Sequence, residues 1–342
     1  MPPKSWFDAH LDLAYLALHG RAMNVPIGEV QRREPGAALT IPQLTVGGVK
    51  QIFATVFVQP WDNRPSETNG PWCFHDLEEA HRAATAQLDI YDRWFDTGLL
   101  QKPRQEDLGH LSPTAWILME GCDAIREISD LDYFHKRGVD AISLTWIHTN
   151  RWAAGNQAEG GLSNDGRRLL GRAADLGIIV DVSHLSDAAF FDVVGEYPGW
   201  IIASHSNARS LLPKPLQNSR NLTDEQIRRL ADRGGVIGIN LYSKFLTSGR
   251  ADIADVVRHI RHIAEITGSM RHVGLGSDMD GGFDRTSLPV HLQSHADLPR
   301  LADAMAQAGF SDGDIISFAS VNWSSIVSGQ AGGRHGDKTG KV

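Results

Sequence analysis

Six residues able to bind a metal or carry a proton stand at or near the ends of short apolar runs: His10, Asp12, Glu120, His184, His205 and Asp278. In Asp8-Ala9-His10-Leu11-Asp12 the imidazole and the second carboxylate are two positions apart, so an extended chain turns both to one face. Such a nitrogen-and-oxygen donor pair suits Zn²⁺, with Mn²⁺, Co²⁺ or Fe²⁺ also open. The competing reading is a packed histidine and a helix-capping aspartate. Ile-Leu-Met-Glu120 places an acid after apolar residues, where an ionised carboxylate is costly unless paired or metal-bound. Its two oxygens would let it bridge two cations. Val-Asp181-Val-Ser183-His184 and Ala-Ser204-His205-Ser206 each close an apolar run with histidine. Gly276-Ser277-Asp278-Met-Asp280-Gly281 closes another with an acid, Asp280 reading as a turn residue.

The elements that must position these groups are legible as apolar runs at Trp6–Asp12, Val49–Val58, Ala115–Glu120, Ala141–Trp146, Ile178–His184, Trp200–His205, Val236–Tyr242 and His272–Asp278. Continuous apolar runs of this kind fit strands buried on both faces of a parallel sheet. Helical spacing lies between most of them, at Leu77–Gly98, Asp165–Leu176, Thr223–Arg233, Asp252–Thr267 and Asp297–Ala308. Several of these helices end at glycine, and Thr223-Asp-Glu-Gln reads as a capping signature. Eight strands in β/α alternation predict a (β/α)8 TIM barrel spanning residues 1–327, followed by a polar, flexible tail at 328–342. A doubly wound open sheet would want a glycine-rich phosphate loop after the first strand, and Leu-Ala-Tyr-Leu-Ala-Leu-His-Gly is none. In a barrel the C-terminal strand ends share one mouth, so the six scattered residues would converge. Residues 20–46 and 59–74 read as long loops over that mouth.

Other histidines and the cysteines carry less. His259 and His262, three apart on an amphipathic helix, read as solvent-facing. His291 and His295 lack the glutamate of a zinc-protease helix. Cys122 reads as a packed thiol, and His335 falls in the tail. Composition narrows the classes further. The 342 residues hold 33 Lys and Arg against 41 Asp and Glu, a net charge of −8 without a basic run, which argues against nucleic acid as the main partner. Two cysteines allow no disulfide framework, and a reducing compartment is the simpler expectation. No signal-peptide core or membrane-spanning run is present. A cytoplasmic protein without a membrane partner is expected, and a homodimer is compatible with the sequence.

Taken together, Asp-Ala-His10-Leu-Asp12, Met-Glu120-Gly, Leu144-Thr145, Asp-Val-Ser-His184-Leu-Ser, Ala-Ser-His205-Ser-Asn-Ala, Ser-Arg220-Asn221 and Gly-Ser-Asp278-Met-Asp-Gly resemble the membrane (renal) dipeptidase family of the amidohydrolase superfamily, in the family's order from about residue 7 to 327. The resemblance implies a barrel of the metallo-dependent hydrolase type with two Zn²⁺ per chain. His10 and Asp12 would hold one ion, His184 and His205 the other, and Glu120 would bridge them. Asp278 would handle protons, and Arg220 would grip the substrate's C-terminal carboxylate. The implied reaction is hydrolysis of dipeptides, L,D-dipeptides among the candidates, by a hydroxide between the metals. A related amidohydrolase acting on N-acyl amino acids, lactams or lactones is the alternative. One departure stands out: the renal-type pattern has histidine after Leu-Thr, thought to stabilise the oxyanion, and here the residue is Trp146. His148, two positions on, would share its face if the strand continues, and Asn150 is a further donor nearby.

Overall fold

The computed structural model describes residues 3–61, 69–103 and 112–331. The eight expected strands form, somewhat trimmed: β1 Trp6–Leu11, β2 Val49–Phe57, β3 Thr114–Glu120, β4 Val139–Ser143, β5 Ile179–Asp181, β6 Ile201–Ile202, β7 Ile237–Ile239 and β8 Val273–Leu275. They pair in parallel in the order β6-β5-β4-β3-β2-β1-β8-β7. A parallel bridge from Ala203 to Ile237 joins the two ends of this row, closing the (β/α)8 barrel. The floor of the barrel is a separate apolar cluster that includes Phe7, Phe53, Trp116, Leu118, Ile179, Ile202 and Trp323. Side chains alternate along each strand. Thus Trp116 and Leu118 fill the floor, and Glu120, next in the same phase, faces the mouth. A larger core lies between strands and helices.

Local signals explain why the helices begin and end where they do. The helix Leu77–Asp96 starts where Asp76 accepts from Glu79 N–H, and Asn164–Leu176 starts where Ser163 accepts from Gly166 N–H. Asp224–Asp232 and Ile253–Thr267 open with capping boxes, Thr223/Gln226 and Asp252/Asp255. Several helices escape the periodicity reading, among them two that follow strands β3 and β5. Asp130–Lys136 spans only seven residues. In Asp187–Glu196, Phe190 is buried but its neighbour Phe191 is exposed, so the adjacent pair blurs the apolar stripe. The last helix, Asn322–Ala331, runs past position 327, so the first residues of the expected tail are helical. The rest of that tail, with His335, lies outside the described residues.

The long connection at 20–46 is pinned from the mouth. Asp280 accepts from Ala38 N–H and Leu39 N–H, both at 2.8 Å, and from the Arg21 guanidinium. Within the 59–74 connection, Gln59–Pro60 pairs in parallel with Cys73–Phe74. Neither cysteine is in a disulfide.

The solvent-facing reading of His259 is corrected: the ring is fully buried. Its Nδ1 accepts from Ala208 N–H at 3.2 Å, and its Nε2 donates to Leu246 O at 3.0 Å. A neutral tautomer satisfies both bonds, and burial pushes the pKa down to about 4. The folded protein therefore refuses a proton that the unfolded chain takes up near pH 6.5. Stability should fall as pH drops from about 6.5 towards 4, by up to about 3 kcal/mol from this group. Urea unfolding of wild type and His259→Gln at pH 7.5 and 5 measures it. The stability gap between them is expected to narrow by about 2 kcal/mol at the lower pH.

Candidate metal centre

The strand ends open into a cavity of ≈ 630 Å³ whose lining includes Asp12, Glu120, His184, His205, Arg220 and Asp278. His10 lies just beneath, 1% exposed. The residues expected to converge do so around Glu120. Its Oε2 is 3.5 Å from His10 Nε2, and its Oε1 is 3.1 Å from His184 Nε2 and 3.3 Å from His205 Nε2. Asp12 Oδ1 is 3.9 Å from His10 Nε2. Asp12 makes no capping bond to the helix Leu13–Leu18 just after it; its carboxylate accepts from Thr55 Oγ1 instead. Three overlapping groups offer ligand atoms within 4.8 Å of one another: His10/Asp12/Glu120, Glu120/His184/His205 and His10/His205/Asp278.

These donors fit cations. His10 Nε2 and Glu120 Oε1 are buried and make no well-aligned hydrogen bond, although facing groups stand 3.5 Å and 3.1 Å away, a costly state that a metal between them would relieve. The Nε2 atoms of His184 and His205 face each other at 3.0 Å, which suits two lone pairs directed at a cation. The electrostatics agree. Burial opposes charge on His10, yet Glu120 first, then Asp12 and Asp278, lift its pKa to about 10. In this pocket a proton on His10 stands where positive charge is wanted. Burial chiefly, with Glu120 adding and His10 opposing, raises Asp12 to about 6. Burial and the Arg220 charge hold His184 down at about 4, so its ring stays neutral, as a ligand must.

The chain bends sharply to present two of these groups. His184 and Asp278 have φ of +67° and +57°, the left-handed region that Asp and His tolerate better than most residues. Beside Asp278, a Cβ on Gly281 would come within 1.9 Å of Asp278 Oδ1, so only glycine fits there. Just below the mouth, two aspartates tie neighbouring strands. Asp8 accepts from both the N–H and hydroxyl of Ser277, and from His295 Nε2 at 2.8 Å. Asp181 holds Ser204 in the same way. His295 thus serves Asp8 rather than the cavity.

Arg220 is buried and lines the cavity. Its Nη1 donates to Ser206 Oγ at 3.3 Å, and its guanidinium lies 5.1 Å from the Phe245 ring centroid. Trp146 also lines the cavity, edge-on to Phe57 at 5.0 Å. Neither His148 nor Asn150 lines the cavity, although the His148 ring stands edge-on to Trp146 at 6.2 Å. β4 stops at Ser143, so strand alternation no longer governs the residues beyond it. His148 is exposed and absent from the lining. The Asn150 amide is spent on the loop, donating to Asp123 Oδ2 and Leu144 O and accepting from Trp152 N–H. Because its exposed ring lies outside the cavity lining, His148→Ala is expected to leave stability within about 0.5 kcal/mol and kcat close to wild type; steady-state kinetics decides it. Cys122 is a packed thiol, donating to Ser143 O at 3.2 Å and pushed well up in pKa by burial.

Sequence reasoning missed Asn240. It is fully buried, and its Nδ2 donates to Asp278 Oδ2 at 2.8 Å. The available signal was a lone amide near the end of the Val236–Tyr242 run. It also missed the aromatic walls, formed by Tyr15, Phe57, Tyr242, Phe245 and Phe283.

A closed parallel barrel with a His/Asp/Glu donor cluster at its C-terminal strand ends defines a metal-dependent hydrolase of the amidohydrolase type. The chain belongs to the membrane dipeptidase family (peptidase family M19), whose profile matches residues 3–330. It is similar to the dipeptidase aclJ of Aspergillus oryzae, 30% identical over 298 residues covering 82% of this chain and 67% of that protein. It is also similar to an uncharacterised Klebsiella pneumoniae protein from the pqqA 5′ region, 35% identical over 211 residues, 58% of this chain and 74% of the other. Among solved structures, the metallo peptidase dipeptidase AC of family M19 superposes with a TM-score of 0.80 at 25% identity, over 96% of this chain and 99% of that one. A Rhodobacter sphaeroides metallo peptidase, liganded with a phosphinate mimic of the dipeptide L-Ala-D-Ala, shares the fold with a TM-score of 0.79 at 23% identity, over 95% and 99% of the two chains. Family and donor cluster together make this protein a metal-dependent peptidase of the binuclear dipeptidase type. No helix among the described residues is long and apolar enough to cross a membrane.

Proposed function

We propose that the protein is a dizinc dipeptidase, with His10 and Asp12 on one ion, His184 and His205 on the other, and Glu120 shared. The observation that carries this reading is the placement of the Glu120 carboxylate, one oxygen towards His10 and the other towards the His184/His205 pair. Bound there, two divalent cations would lower the pKa of a water and polarise the scissile carbonyl.

The chain's own residues do the rest. Arg220 binds the substrate's terminal carboxylate, a task that suits its planar fork. The aromatic walls exclude water and strengthen every charge interaction inside. Asn240 holds Asp278 Oδ2, leaving Oδ1 to take a proton from the attacking water and pass it to the departing amine. Where the renal-type pattern would place histidine, the Trp146 indole leaves only one N–H as donor, and its packing on Phe57 makes it a wall for the substrate. The cytoplasmic setting expected from the sequence stays part of this reading.

Metal analysis after zinc loading, together with hydrolysis of a mixed L,L and L,D dipeptide library beside N-acyl amino acids, tests the reading. Two ions per chain and cleavage of free dipeptides are expected. One ion or none would overturn the binuclear assignment, and turnover confined to N-acyl amino acids would replace the dipeptidase. Arg220→Ala should mainly raise KM, since a contact made in ground and transition states alike is uniform binding. Wild-type cleavage of dipeptide amides as fast as free dipeptides would remove Arg220 from that role.

A further inference from the structure

One hydroxyl sits behind two of the proposed ligands. Ser204 Oγ is 2.7 Å from His205 Nδ1, 3.1 Å from His10 Nδ1 and 2.6 Å from Asp181 Oδ2. The two rings stack, with centroids 3.5 Å apart at 27°, so both Nδ1 atoms reach the same oxygen. Asp181 is itself fixed: Oδ1 accepts from Ser183 N–H at 3.0 Å and Ser204 N–H at 2.9 Å. All four side chains are buried, with none more than 1% exposed. The barrel makes room for this arrangement. A Cβ on Gly238 or on Gly276 would come within 1.8 Å of Ser204 O, so β7 and the residue just past β8 both forgo a side chain where Ser204 sits.

Counting protons gives the consequence. A carboxylate only accepts, and a serine hydroxyl has one proton. That proton goes to Asp181 Oδ2, and the hydroxyl's lone pairs remain for the imidazoles. Each ring must then donate from Nδ1, so in the neutral form that a metal ligand takes, Nε2 carries the lone pair facing Glu120 and the cavity. His184 is held separately, its Nδ1 3.3 Å from Asn156 Oδ1.

We propose that Asp181 and Ser204 are a positioning pair that fixes the tautomer and orientation of His10 and His205 together, so that a single hydroxyl prepares one ligand for each of two cations. The inference rests on the ligand assignment above. A partner of a ligating histidine sets which ring nitrogen meets the metal, and its loss typically costs about 10–100-fold in metal affinity. Because Ser204 serves a ring on each side of Glu120, its loss should weaken both ions. Loss of Asn156 should weaken only the ion held by His184.

The test is zinc affinity by chelator competition, at fixed pH, on the folded full-length protein. Ser204→Ala and Asp181→Asn are expected to lower the affinity of both ions by about 10–100-fold, the asparagine because its amide donates to Ser204 and turns the hydroxyl proton onto a ring. Asn156→Ala should lower one. A long-range ¹H–¹⁵N spectrum of zinc-loaded, histidine-labelled wild type needs no variant and should show a proton on Nδ1 of both His10 and His205; a proton on Nε2 of either overturns the proposal. So does Ser204→Ala with both affinities within twofold of wild type, or with only one changed. If His10→Ala and His205→Ala each retain two tight ions, the ligand assignment itself has failed, and the pairing with it. If those variants lose ions while Ser204→Ala does not, the pairing alone has failed.

Discussion

Asp278→Asn is expected to lower kcat by about 10²–10⁴, the range for loss of a general acid–base group, with both metals retained. Burial is the main cause that lifts the Asp278 pKa to about 8; His10 opposes it, and Asp12 and Glu120 add to it. Cations bound nearby would pull it back down, placing the group where it can accept and release a proton near neutral pH. Asparagine is the right probe for geometric reasons. It tolerates the left-handed backbone at this position, and its carbonyl can still accept from Asn240. Alanine would strain the backbone and orphan the Asn240 amide. The experiment also separates two roles that the geometry brings close, because Asp278 forms one ligand group with His10 and His205. Metal analysis beside kinetics resolves them: activity lost with two ions present marks a proton carrier, whereas activity and an ion lost together mark a ligand.

How much of this site is legible in the sequence depends on which interactions are local. The barrel is legible because doubly buried parallel strands read as apolar runs and each helix carries its own start and stop signals. His10, Glu120, His205 and Asp278 are legible because a polar group closing such a run has few other places to go. The supports are different. Asp8 meets His295 across 287 steps of chain, and Asn240 meets Asp278 across 38. No periodicity encodes such pairings. His259 reads as exposed because its helix is amphipathic, yet its partners are the backbone of Ala208 and Leu246, and any residue type can supply those. The expected place of His148 in the cavity is misread for the opposite reason. The alternation rule is sound, but β4 ends at Ser143, and nothing in Leu-Thr-Trp-Ile-His says so.

The Asp–Ser ties are a middle case. Asp8 and Asp181 lie two and three residues ahead of His10 and His184, and Ser277 and Ser204 directly precede Asp278 and His205. Each tie joins one site-bearing strand to its neighbour, so two separate edges of the mouth are fixed by the same chemistry. Rigid support of this kind matters because a catalytic constellation loses rate when its members drift by fractions of an ångström.

Glu120→Gln is expected to remove more function than any other single change in the cavity. Glutamine preserves shape but takes away one of the three carboxylates, Asp12, Glu120 and Asp278, that line this cavity, and it is the one whose two oxygens address different histidines. Each cation would face less negative charge in a site where burial magnifies the deficit. Glutamine also cannot present an acceptor at both ends, since one terminal atom becomes an N–H₂ donor and would be turned towards a ligand nitrogen. Zinc content after desalting should fall from two ions per chain to one or none, and kcat should fall at least as far as for Asp278→Asn. Metal analysis, kinetics and a thermal melt measured together decide it. Two tightly held ions in a folded Glu120→Gln protein would show that the carboxylate is not shared, and the two halves of the centre would then have to bind independently.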